Sequence, residues 1–303
     1  MGETDVAETR RRIAAHLVGR GRELELALAA VAAGRDLVLE GPPGTSKTTM
    51  LKAITEEWGI PLFFVEGNAD LSPAKLVGHH NPARVLREDY SADNFVAGPL
   101  VEAMRQGGFL YIEEFNRAPE DTLNTLLTAM ADRAVEVPRV GLIEAQPTFR
   151  VIASMNPYDN VGTTRLSTSV SDRLNRIVVG YQDAEAERGI VALRTGLIGS
   201  LADRIIPDAV AVTRATREHP DVRQGSSVRG AIDCALVAHE LFELRGQVNP
   251  NDDDYQATVF DAMLVSLSGR IHVDEAAETT PERVLREIWE DHFILEPARA
   301  EPG

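Results

Sequence analysis

Residues 36–48, Asp-Leu-Val-Leu-Glu-Gly-Pro-Pro-Gly-Thr-Ser-Lys-Thr, run from an apolar strand into a glycine- and proline-bearing loop that ends in a lysine and a threonine. Thr-Met-Leu-Lys-Ala-Ile-Thr-Glu-Glu-Trp follows at 49–58 with helical apolar spacing. Strand, loop and helix in that order form the context in which backbone N–H groups and a helix N-terminus cradle a phosphate chain. Gly41, Pro42, Pro43, Gly44, Thr45 and Ser46 would form the cradle, with Thr49 in the first turn of the helix. Lys47 would meet the β- and γ-phosphates, and the Thr48 hydroxyl would sit on Mg²⁺. Ser46 stands where the general pattern has glycine, so a serine must accept a tight backbone there.

The chain has 303 residues, enough for one large or two medium domains, and its 44% hydrophobic content is that of an ordinary globular protein. It contains no run of about 18 apolar residues. The opening Met-Gly-Glu-Thr-Asp-Val-Ala-Glu-Thr-Arg has no apolar signal core, and a cytoplasmic protein is expected. A net charge of −16 opposes a nucleic-acid role, since phosphate backbones are gripped by clustered lysine and arginine. The single cysteine, Cys234, lies in an apolar helical stretch and reads as a packed thiol.

Working outward from the loop, the spacing predicts helix over 8–33 with a break at 17–20, strand 36–40, helix 47–58 and strand 61–65. A polar excursion at 68–98 carries few strand signals. Helix 99–106, strand 109–113, helix 119–132, a hairpin at 134–147, strand 149–154 and a last strand near 176–180 complete a βαβ series, which predicts a parallel sheet. From Gln182 the pattern turns almost wholly to amphipathic helices. Two domains are expected, residues 1–181 (α/β) and 182–303 (helical).

Strand 109–112, Phe-Leu-Tyr-Ile, delivers Glu113 and Glu114 to its C-terminal end, where open parallel sheets bind ligands. Neighbours on a strand point to opposite faces, so the two carboxylates must have different jobs. By order, Glu113 is assigned to Mg²⁺ and Glu114 to the water that attacks the γ-phosphate. Asn156 follows the next strand, where its amide could orient that water or touch the γ-phosphate.

In Gly-Pro-Pro-Gly-Thr-Ser-Lys-Thr (41–48), Ile-Glu-Glu-Phe-Asn-Arg-Ala-Pro (112–119), Ile-Ala-Ser-Met-Asn-Pro (152–157), Ser-Asp-Arg-Leu (171–174) and Gly-Ser-Ser-Val-Arg (225–229), the chain resembles the MoxR-type AAA+ ATPases. The resemblance implies a P-loop α/β nucleotide domain followed by an all-helical lid. It also implies assembly as a homo-oligomeric ring, expected to be a hexamer, with ATP between subunits. By motif, Arg173 resembles the arginine finger given to a neighbour's ATP, with Arg165 and Arg176 as competitors. Arg229 resembles the lid's sensor arginine, and Asn68, or less readily Glu66, the polar residue that restrains the catalytic glutamate. The family's metal-binding acid is usually aspartate, and Glu113 departs from it by one methylene, so slow hydrolysis is expected.

The implied activity is Mg²⁺-dependent ATP hydrolysis that drives chaperone-like remodelling or maturation of a protein client, with a von Willebrand A-domain protein as adaptor. A nucleotide-gated scaffold with little turnover is the alternative, and a DNA-acting motor is a more distant one that the negative charge opposes. His79-His80 lacks the spacing of a metal-ligand set. Asp252–Asp254 reads as a solvated turn, since it lacks the spaced ligands of a calcium loop.

Overall fold

The computed structural model describes residues 6–14, 17–88, 91–157, 168–247 and 251–295. The chain divides into two compact units, Met1–Gly180 and Tyr181–Gly303. In the first, α1 (Val6–Ala14) and α2 (Gly21–Ala32) precede β1 (Leu37–Glu40), α3 (Lys47–Trp58) and β2 (Leu62–Glu66). Then come α4 (Pro73–Val77), β3 (Gly78–His80), α5 (Pro82–Glu88), β4 (Phe95–Ala97), α6 (Pro99–Gln106) and β5 (Phe109–Glu113). The unit closes with α7 (Glu120–Asp132), β6 (Ala134–Val137), β7 (Gly141–Glu144), β8 (Arg150–Met155), α8 (Thr168–Arg173) and β9 (Asn175–Val178).

Five strands form one parallel sheet in the order β2-β5-β8-β1-β9. Its central strands are buried on both faces, which is why they read as continuous apolar runs rather than alternating ones. The alternation is nevertheless present in what each residue touches. Leu37, Leu39, Phe109, Tyr111 and Ile152 pack with Leu28, Met50 and Leu51 beneath α2 and α3. Val38, Leu110, Ile112, Val151 and Ala153 pack with Leu100, Met104 and Leu126 beneath α6 and α7. Helix, sheet and helix thus make three layers, and the C-terminal ends of β1, β5 and β8 lie side by side.

Two short elements in the 68–98 excursion were not expected. β3 and β4 pair antiparallel, with His79 opposite Val96. Three-residue strands are too short to show a period. Their close approach is what Gly78 permits: its φ is +126°, and a Cβ there would lie 2.3 Å from the Val96 carbonyl oxygen. The hairpin foreseen at 134–147 is the β6–β7 pair.

The second unit holds α9 (Ala184–Thr195), α10 (Ser200–Glu218), β10 (Val222–Gln224), α11 (Val228–Leu244), α12 (Asp252–Leu267), β11 (His272–Val273) and α13 (Pro281–Glu290). The two short strands pair with each other, a small ladder within an otherwise helical unit. Asp252–Asp254 forms the first turn of α12 rather than a solvated turn. Asn251 caps that helix by accepting the Asp254 N–H at 2.8 Å, and three carboxylates suit the positive end of a helix dipole. Cys234 is fully buried in this core, and burial pushes its thiol up to about 12, so it packs and does not react. No helix among the described residues is long and apolar enough to cross a membrane.

Candidate nucleotide-binding site

The loop between β1 and α3 is held from both sides. Gly41 N–H donates to Met155 O at 3.0 Å, and a Cβ on Gly41 would lie 2.0 Å from the Val179 carbonyl oxygen, so only glycine fits there. Gly44 has φ +74°. Ser46 takes φ +66° and ψ +19°, the left-handed conformation that an L side chain adopts at a cost of about 1–2 kcal/mol. The tightness expected at this position is therefore a backbone demand, which serine meets without a second glycine.

Lys47 opens α3 and folds back over the loop. Its Nζ donates to Gly41 O and Pro42 O, each at 2.8 Å, and lies 3.3 Å from Thr45 Oγ1. An ammonium held by carbonyl oxygens can exchange them for phosphate oxygens without moving far. One residue on, Thr48 Oγ1 donates to Glu113 Oε1 at 3.1 Å and lies 3.0 Å from the Tyr111 hydroxyl. Tyr111 is fully buried, and its hydroxyl lies 2.9 Å from Ser154 Oγ. A threonine hydroxyl beside a carboxylate is a set of hard oxygen donors, and it fits Mg²⁺.

Glu113 is the last residue of β5, and Glu114 already lies past the strand, so the strand alternation expected for the pair does not apply to it. Glu114 has φ +53° and ψ +42°, a strained conformation for a non-glycine residue, and it starts the turn Phe115–Arg117. Gly67 N–H donates to Glu113 O at 2.7 Å, and a Cβ on Gly67 would lie 2.4 Å from Glu114 O, so the end of β2 presses directly on this corner. The Glu114 carboxylate pairs with Arg117 at 3.3 Å, both half exposed. Asn68 does not restrain Glu114 here. Its amide bonds to Glu66 O at 3.3 Å and accepts the Asp70 N–H at 2.9 Å, closing its own turn. Asn156 lies just past β8 at the same end of the sheet, and its carbonyl accepts from Asn116 Nδ2 at 3.4 Å.

The three arginines considered as the finger part ways. Arg165 lies outside the described residues. Arg176 makes a bidentate pair with Glu40, one contact at 2.7 Å, which ties β9 to β1 within the same unit. Arg173 is exposed at the end of α8, where its guanidinium donates to Ser169 O at 2.9 Å. It lines a cavity of about 970 Å³ with Asp36, Arg133, Arg150 and Asp172. These residues precede the strands, open one of them (Arg150 in β8) or follow α7, so the cavity lies at the N-terminal edge of the sheet, opposite the loop. A four-residue strand such as β1 separates the two edges by roughly 13 Å. Asp36 is anchored there by the Val151 N–H at 2.7 Å, and its burial raises its pKa.

Arg229 is exposed on the first turn of α11, whose start is capped by Ser227. His79 and His80 are neighbours on β3 and so face opposite ways, with His80 Nε2 at 3.1 Å from Pro138 O. The residues missed from sequence are Tyr111, Ser154 and Gly67. A signal for the first existed: one hydroxyl in an apolar strand, two residues before a carboxylate and hence on its face.

The three-layer fold and this loop define a nucleotide-binding P-loop ATPase core. A family model described as AAA domain (dynein-related subfamily) matches residues 36–174. The chain is 30% identical over 236 residues to YojN of Bacillus subtilis, covering 75% of this chain and 76% of that protein. It is 30% identical over 224 residues to the gas vesicle ATPase GvpN of Ancylobacter aquaticus, covering 68% of this chain and 61% of GvpN. It therefore spans less than two thirds of that relative's length. RuvB of Thermotoga maritima, a Holliday junction branch migration motor, shares the fold with a TM-score of 0.51 at 18% identity, over 88% of this chain and 70% of that one. The chain belongs to the AAA+ ATPases of the MoxR type.

Proposed function

We propose that this protein hydrolyses ATP to ADP and phosphate at sites shared between adjacent copies in a ring, expected to be a hexamer, and that turnover remodels or matures a protein client. The observation that carries this reading is the position of Arg173. It sits at the opposite edge of the sheet from its own phosphate loop, which supports a role at another subunit's nucleotide rather than at its own.

In this reading residues 41–46 and Thr49 cradle the phosphates, and Lys47 exchanges its loop carbonyls for the β- and γ-oxygens. Thr48 and Glu113 would hold Mg²⁺, which when bound supplies positive charge against the phosphate oxygens. Glu114, once released from Arg117, polarises the attacking water, and Asn156 orients it. That release is inexpensive, because a half-exposed ion pair contributes only about 0–1 kcal/mol. Arg173 offsets the charge that develops in the neighbour's transition state. Arg229 is assigned the sensing of the γ-phosphate on family resemblance alone.

The client reading has support in two inserted elements. Leu86 on α5 is 89% exposed and Leu142 on β7 is 65% exposed, apolar groups on segments that lie outside the main sheet. A von Willebrand A-domain adaptor is proposed on family resemblance. The net charge of −16 favours a protein client over DNA.

Arg173→Ala is expected to cut turnover by roughly a thousandfold while dilute subunits bind ATP as tightly as wild type. Steady-state hydrolysis measured beside equilibrium nucleotide binding checks this, across a range of protein concentrations with assembly followed by light scattering. Wild-type turnover per subunit should rise with assembly. Tight ATP binding with no turnover at any concentration would replace the motor with a nucleotide-gated scaffold.

A further inference from the structure

The cavity that Arg173 lines holds an imbalance of charge. Arg35, Arg133, Arg150 and Arg173 border it, and Asp36 and Asp172 are the acids among its lining residues. Four guanidiniums against two carboxylates make a positive pocket on a chain of net charge −16. Among the described residues none of the four pairs with a carboxylate, and where their side chains bond they bond to carbonyl oxygens. Arg204, Arg245 and Arg270, by contrast, each hold an aspartate.

Two of these guanidiniums converge on one atom. Arg133 and Arg150 both donate to Phe149 O, Arg133 at 2.9 Å. Each takes a second carbonyl, Arg133 that of Gln146 at 3.2 Å and Arg150 that of Pro147 at 2.8 Å. Arg133 closes α7 in the left-handed conformation, φ +54°, and its guanidinium lies 5.1 Å from the centre of the Phe149 ring. Two cations on one oxygen repel each other. Burial, and then Arg133, lower the Arg150 pKa, with Asp36 opposing them. Arginine nevertheless keeps its proton in proteins, so the repulsion is relieved by an anion and not by deprotonation.

We propose that Arg133 and Arg150 form, with Arg35 and Arg173, a pocket that receives the triphosphate of a neighbouring subunit's nucleotide. The proposal rests on the reading that Arg173 serves an adjacent copy. It adds fixed charge to that reading: Arg173 is exposed and held by a single carbonyl, whereas Arg133 and Arg150 are each tied to two and set the field in which Arg173 works.

Mixing Lys47→Ala chains, which donate the arginine, with Arg173→Ala chains, which accept it, isolates one shared site. Arg150→Gln on the Lys47→Ala donor is expected to lower the rescued phosphate release about tenfold, the scale of one unit charge acting on another in a partly screened site. Arg150→Lys, which keeps the charge, should recover most of it. The loss should follow the donor, since the cavity of an Arg173→Ala chain faces no working site. An equal loss from Arg150→Gln on either chain would mean a packing role, and no loss from the donor would mean no role; both overturn the proposal. So does a shift in the concentration needed for assembly with full turnover once assembled, which would place the neighbour's acidic side chains in the pocket. If Arg150→Gln fails to fold, Arg35→Gln replaces it, because the exposed Arg35 guanidinium has no hydrogen bond or ion pair among the described residues, and the same dependence on the donor chain is expected. No rescue in the starting mixture would remove the shared site itself and this pocket with it, whereas rescue indifferent to the donor's Arg150 and Arg35 removes the pocket alone.

Discussion

Lys47→Ala is expected to abolish ATP binding, with affinity falling by roughly a hundredfold or more. The ammonium is the one cation placed on the loop itself, and hydrogen bonds to charged groups are worth about 1.5–3 kcal/mol each. Removing it takes the Lys47 donor from Gly41 O, while Pro42 O keeps the Thr45 hydroxyl at 2.9 Å, and both belong to a loop pinned independently through Gly41 N–H to Met155 O and through the close approach to Val179. The fold should therefore persist. Equilibrium titration with a fluorescent ATP analogue, alongside circular dichroism to confirm the fold, checks both parts. Retained affinity would mean that the loop backbone alone holds the phosphates and that Lys47 serves the loop's own geometry.

Glu114→Gln is expected to act in the opposite way, preserving ATP binding and lowering turnover by about 10²–10⁴-fold. The amide keeps the shape of the carboxylate but cannot accept a proton from water. Little stability should be lost, since the pair with Arg117 is half exposed and the strained backbone at Glu114 is set by the turn and by Gly67 rather than by the side chain. Single-turnover hydrolysis and the ratio of bound ATP to ADP report this directly. An ATP-loaded protein should accumulate. Normal hydrolysis in Glu114→Gln would move the water-activating role elsewhere, with Glu113 the first candidate because it stands on the adjacent position of the same strand end.

The phosphate loop and its helix are legible in the sequence because two local signals agree. An apolar run stops at Gly41-Pro42-Pro43-Gly44, and helical spacing begins at Lys47, so α3 spans the expected 47–58. The parallel sheet is legible for the same reason, since β1, β2, β5 and β8 are largely apolar runs ended by a turn, whereas β9 begins with Asn175 and Arg176. What stays hidden depends on distance along the chain. Tyr111 reads as one more apolar strand residue until Thr48 and Ser154, 63 and 43 positions away, are seen beside it. Likewise Arg176 competes with Arg173 on paper, and only the contact with Glu40, 136 residues away, shows that it is spent inside its own unit.

Other misses are local. The left-handed turn at Ser46 is invisible because serine is a poor marker of positive φ, and the strain resides in the backbone. β3 and β4 are too short for a period. The start of α12 did carry its signal, an asparagine cap followed by three acids, but Asn-Pro-Asn-Asp-Asp-Asp also satisfies the rules for a turn.

A shared site makes a demand that an isolated one does not. Lys47→Ala subunits cannot bind nucleotide but still carry Arg173, while Arg173→Ala subunits bind nucleotide but cannot serve a neighbour. Each is expected to be inactive by itself. Mixing them in equal amounts and following phosphate release is the decisive measurement: turnover that reappears in the mixture, and vanishes again when Glu114→Gln is added to the Arg173→Ala chain, is the expected result. A mixture as inactive as its parts, under conditions where light scattering shows co-assembly, would contradict the placement of one subunit's arginine at another subunit's nucleotide.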